Sequence, residues 1–164
     1  MGASKQRGKS FLALFAAGVA ATVVILIIQN IGINLYPPPE ELKALLKSTD
    51  KVVQENAFKE LIATAPIGAL WLVLLAYAVG TTVGGWLAAR MAPHHPLGHA
   101  ALIGACLLGG GIINFALIPH PTWMVIIGVL IFIPSALLGA TLSTRQARKN
   151  ATGSGQDSGE PDST

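Results

Sequence analysis

Charge is scarce in this sequence. Only 12% of its 164 residues are Asp, Glu, Lys or Arg, against 52% hydrophobic, and the mean hydropathy is +0.58. A soluble domain carries about a quarter of its residues as charges, so a fold packed only in water is excluded. Charged residues are absent from the interiors of four long apolar runs, at 11–33, 62–89, 97–118 and 123–143. Each run can cross a hydrocarbon core about 30 Å thick, which takes about 20 helical residues. The expected fold is therefore all-α: a polytopic integral membrane four-helix bundle.

Other absences narrow the chemistry. The single cysteine, Cys106, cannot form an intramolecular disulfide. Without an acid in any span, the chain lacks the paired carboxylates of an intramembrane hydrolase and the usual relay of a proton-coupled transporter. Ser135 has no His or Lys at its depth to activate it. No catalytic residue and no cofactor is therefore assigned, and the protein is expected not to be an enzyme. The net charge is +3, with basic residues scattered around span ends rather than gathered on one face, so no nucleic-acid partner is expected. "MGASKQ" lacks the Ser or Thr of a myristoylation signal.

The few charges that exist report topology. Lys5, Arg7, Lys9, Arg90, Arg145, Arg148 and Lys149 flank one side of the spans, and Lys43, Lys47, Lys51 and Lys59 the other. Seven against four places both termini in the cytoplasm by the positive-inside rule. The first run outlasts the roughly 7 to 15 apolar residues of a signal peptide, so it is kept as an anchor. The organisation expected is a basic N-terminus at 1–10, a transmembrane domain at 11–145 and a Gly- and Ser-rich disordered tail at 146–164.

Between the first two spans, residues 36–61 read as two short amphipathic helices. One starts at Pro38 or Pro39 with Glu40 and Glu41 in its first turn, and one is capped within "STD" at 48–50, with Glu55 and Lys59 paired four apart. Such a pair lies on lipid headgroups or docks a partner. Membrane lipids are thus expected partners.

The two halves echo one another. Pro37 and Pro39 match Pro119 and Pro121, and "GGWLAAR" at 84–90 matches "GATLSTR" at 139–145. The echo reads as a duplicated helical hairpin, a two-plus-two parallel repeat, or as chance convergence of common membrane residues.

Within the spans, Ala76, Gly80, Gly84 and Ala88 recur every four residues, the spacing that lets helices approach in lipid. They form a packing surface within the bundle or a seam between copies. Gly109, Gly110 and Gly111 in the third span and Pro134 in the fourth weaken their helices and form a candidate hinge. Gln29, Asn30, Asn34 and Asn114 gather toward one membrane face as a candidate polar vestibule, or as amides near headgroups. His94, His95 and His99 are weak metal candidates, since Pro96 and Gly98 interrupt them and no carboxylate or Cys in that loop completes a site.

"VGGWLAARMAP" at 83–93 and "NFALIPHPTWM" at 114–124 resemble small four-span bacterial inner-membrane proteins without an assigned activity. The resemblance implies a bacterial setting and lends no functional residues. The expectation for function is a non-catalytic protein acting through helix–helix association, as a homo-oligomer or as an accessory subunit beside a partner membrane protein. The alternative is a small oligomeric transporter or channel for a neutral or apolar solute.

Overall fold

The computed structural model describes residues 2–92, 95–118 and 120–154. Six helices follow one another: α1 (Gly2–Leu35), α2 (Glu40–Leu46), α3 (Lys51–Thr64), α4 (Ile67–Met91), α5 (Pro96–Leu117) and α6 (Thr122–Ser154). No strand occurs among the described residues. Four of these helices, α1, α4, α5 and α6, are long and apolar enough to cross a membrane. Over the described residues the chain is all-helical and reads as a multi-pass membrane protein.

Two boundaries differ from the sequence reading. The second span begins at Ile67, not at 62, because Pro66 holds Ala65 in an extended conformation (ψ 133°) and ends α3 just before it. At the other end, α6 runs through 146 to Ser154 where a tail was expected. Gln146, Ala147, Arg148 and Lys149 are good helix formers, and extending an existing helix costs no new nucleation. Residues 155–164 lie outside the described residues.

The helix α4 is the centre of the packing. It lies against α1 on one flank and α6 on the other, with α5 seated on both α4 and α6. The neighbours α1 and α5 approach only marginally, and α1 and α6 do not approach at all. Leu70, Leu74 and Tyr77 of α4 meet Met124 and Phe132 of α6 in the largest buried apolar cluster. The Tyr77 and Phe132 rings lie 5.4 Å apart, and Phe115 of α5 meets Tyr77 edge-on at 6.2 Å.

The α4–α6 pair runs parallel. Trp71 stacks on Trp123 at 5.6 Å near one end, Tyr77 meets Phe132 further along, and Gly85 meets Ala136 towards the other end. These partners are 52, 55 and 51 positions apart, so one register holds along the crossing.

The α2–α3 hairpin is built separately. Leu42 and Ala57 are buried, Gln54 Nε2 donates to the Leu46 carbonyl at 3.0 Å, and Asp50 caps α3 by accepting from the Val52 amide at 2.8 Å. The ion pairs Glu40–Lys43 and Glu55–Lys59, each 2.7 Å, are exposed. The Lys43 hydrogen bond and charge hold the Glu40 carboxyl below its ordinary range. That pair therefore persists above the usual carboxylate range and is lost only as the pH falls through the lowered value. Backbone approach of the hairpin is confined to itself: α2 and α3 lie close to each other, and neither backbone comes close to a span.

Candidate functional site

The small-residue stripe is consumed inside the molecule. Ala76 and Ala88 are fully buried, and Ala13, Ala17 and Ala21 of α1 form the facing stripe at 0–1% exposure. A Cβ placed on Gly84 would stand 2.9 Å from the Ala21 Cβ, and one on Gly80 would overlap Ile25 and approach the Ala21 carbonyl. Gly80 and Gly84 thus seat α1 on α4. Replacing them by Ile is therefore expected to disrupt the α1–α4 contact within the molecule.

A second small-residue crossing, on the opposite flank of α4, joins it to α6. A Cβ on Gly85 would overlap the Ala136 backbone, and one on Gly139 would overlap the Thr82 carbonyl. Gly85 lies one position off the stripe of fours at Ala76, Gly80, Gly84 and Ala88, so that pattern does not mark this surface. Thr81, fully buried on α4, has a hydroxyl without a hydrogen-bond partner among the described residues.

The three consecutive glycines do not act together. Only Gly111 packs, with a hypothetical Cβ 2.8 Å from the Phe132 ring, whereas Gly109 and Gly110 have open space where a side chain would be. α5 is continuous through all three, and α6 is continuous through Pro134. We expect Gly109→Ala and Gly110→Ala each to raise stability by about 0.5–1 kcal/mol through helix propensity, read as a higher unfolding midpoint in detergent. A fall in the midpoint would show that these positions need glycine's backbone freedom.

The four amides also separate. Asn114 donates to the Tyr77 hydroxyl at 3.2 Å inside the α4–α5–α6 contact. Asn34 turns back onto the Asn30 carbonyl at 2.8 Å on the exposed surface of α1. Gln29 lines a cavity beneath the α2–α3 hairpin. No shared vestibule forms among them. Of the histidines, His94 lies outside the described residues, and His99 Nδ1 sits 3.0 Å from the His95 carbonyl. Among the described residues no three His, Cys, Asp or Glu side chains cluster.

Unfilled spaces among the described residues include two next to α1. A notch of about 650 Å³ separates α1 from α5, lined by Phe11, Phe15, Gly18 and Thr22 on one side and by Leu102 and Cys106 on the other. A cavity of about 610 Å³ lies between the hairpin and the neighbouring ends of α1 and α4. No family model, curated protein or solved structure matches this chain. The functional assignment therefore rests on these surfaces alone.

The sequence does not announce the notch; the packing of the glycines marks it. Nine glycines are jammed against a neighbour, with a hypothetical Cβ under 3.0 Å from another atom, while Gly18, Gly109 and Gly110 have nothing within 4 Å. These three fall on α1 and α5, the helices that flank the notch. Gly18 lines it, and Gly109 and Gly110 follow its Cys106 by one helical turn. Thr22 donates to the Gly18 carbonyl at 2.9 Å and so spends its hydroxyl within its own helix.

Proposed function

We propose that the protein is a non-catalytic integral membrane protein that works by association in the plane of the bilayer, as a homo-oligomer joined at the α1–α5 notch. The observation that carries this is the placement of the three unpacked glycines. A mid-helix glycine costs about 1 kcal/mol relative to alanine, and in lipid such residues serve close helix approach. Among the described residues, nine other glycines have a neighbour so close that an added Cβ would be under 3.0 Å from it. Those beside the notch have none within the monomer.

A second copy suits this face because the patch carries both a hollow and projections. Phe11 and Phe15, at 73% and 63% exposure, stand at its rim, and a two-fold interface needs one surface to supply both. Seven basic residues against four favour cytoplasmic termini, and the likeness to small four-span proteins favours a bacterial inner membrane. The repeat gains support from the α4–α6 register. Its offsets of 51 to 55 lie close to the 55 that relates "GGWLAAR" to "GATLSTR", so equivalent residues stand at similar depth, as a pseudo-two-fold axis along the membrane normal requires.

Native mass spectrometry of protein released gently from its own membrane tests the proposal. We expect a homo-oligomer that Gly18→Leu or Gly110→Leu returns to monomer without lowering the unfolding midpoint, since both sites are open inside the chain. A monomer in the wild type would sink the proposal. A stable complex with one different protein would replace self-association by an accessory-subunit role.

A further inference from the structure

We infer that the cavity beneath the α2–α3 hairpin binds a neutral amphiphile, a molecule with one long apolar chain and a carbonyl or hydroxyl group that pairs with Gln29. At about 610 Å³ the cavity falls within the roughly 300–1,000 Å³ range of small-molecule sites. Its walls are apolar: Leu46 and Phe58 come from the hairpin, Tyr36 from just beyond α1, and Val73 from α4. No charged side chain lines it. The space exists because the hairpin has its own small core and does not close onto the spans.

Water is a poor occupant. A buried water takes two to four polar partners, and the lining offers few. Thr64 spends its hydroxyl on the Glu60 carbonyl at 2.8 Å. The Tyr36 hydroxyl lies over Gly68, so close that a Cβ there would be 2.5 Å from it. The remaining side-chain amide, Gln29, makes no hydrogen bond with any described residue. An apolar space of this size left empty would forfeit the dispersion contacts of its whole lining.

Depth selects the ligand. The cavity lies where α1 ends at Leu35 and α4 begins at Ile67, near the stacked Trp71 and Trp123 that mark a membrane–water boundary. Gln29 lies six residues before the end of α1, about 9 Å deeper at 1.5 Å per residue. A group that reaches it has left the headgroup region, which a carbonyl or hydroxyl tolerates and a carboxylate or ammonium does not. The apolar chain then occupies the space between Val73 and the hairpin's Leu46 and Phe58.

The test is photolabelling of the full-length protein in phosphatidylcholine nanodiscs. The probe is a monoacylglycerol carrying a diazirine in its chain, compared with the fatty acid bearing the same chain at a pH where it is ionised. The expected result is label on peptides of α3 and α4 that line the cavity. It should fall several-fold in Leu46→Trp and in Val73→Trp, each of which fills the space, and stay unchanged in Leu130→Trp on the exposed face of α6. Gln29→Leu should lower labelling by the monoacylglycerol and leave the fatty acid as it was. Leu46 belongs to a hairpin whose backbone approaches no span, so its variant reads the cavity even if Val73→Trp perturbs the bundle. Equal labelling of the cavity peptides in Leu46→Trp, stronger labelling by the ionised fatty acid, or indifference to Gln29→Leu would each overturn the assignment.

Discussion

Gly85→Leu and Gly139→Leu should each abolish the folded bundle. At both positions the first added carbon would overlap main-chain atoms of the facing helix, Ala136 from Gly85 and Thr82 from Gly139. A flexible side chain can rotate out of the way; a helix backbone moves only with its whole helix. Overpacking a core costs about 1–3 kcal/mol when neighbours can repack, and here separating α4 from α6 also opens the Tyr77–Phe132 cluster. We therefore expect at least the upper part of that range, enough to exhaust a marginal stability. SDS titration of mixed micelles, followed by Trp fluorescence, measures it. Unfolding midpoints unchanged from wild type would refute the close crossing, whereas Gly18→Leu should leave the midpoint intact.

The second large effect is expected at Phe132, 2% exposed and in contact with Tyr77 and Gly111. In a soluble core, Phe→Ala costs about 3–5 kcal/mol, a sum of lost transfer energy and a cavity left behind. In a bilayer the transfer part largely disappears, because an unpacked helix still sits in hydrocarbon. What remains is lost dispersion and an unfilled space. Phe132→Ala should therefore cost about 2 kcal/mol in the same titration. A cost near 5 kcal/mol would mean that water, not lipid, solvates this helix when the bundle opens.

The spans were legible because their evidence is compositional. Long runs without charge state their own secondary structure and environment, and the start of α4 departs from the run's edge because Pro66 divides one apolar stretch between two helices. The hairpin was legible for a similar reason, since Asp50 and the Glu55–Lys59 pair act within a few residues. Packing was harder to read. The period of four at Ala76, Gly80, Gly84 and Ala88 announces that some helix comes close without naming it. The partner, α1, is defined only by the fold. Three glycines in a row looked like one hinge, yet successive residues on a helix point about 100° apart, so Gly111 meets Phe132 while Gly109 and Gly110 look outward. The unfilled spaces left no local trace, because each belongs to segments far apart in sequence.

The detachment of α2 and α3 from the spans has a thermodynamic corollary. Joining α1 to α4 costs chain-closure entropy that grows only logarithmically, about 0.6 kcal/mol for each doubling of the connecting length. Since the intervening helices touch no span by their backbones, the four-span unit is nearly indifferent to whether a long or a short tether joins them. The length and sequence of this connection are therefore constrained by its own small core and not by backbone packing on the membrane spans.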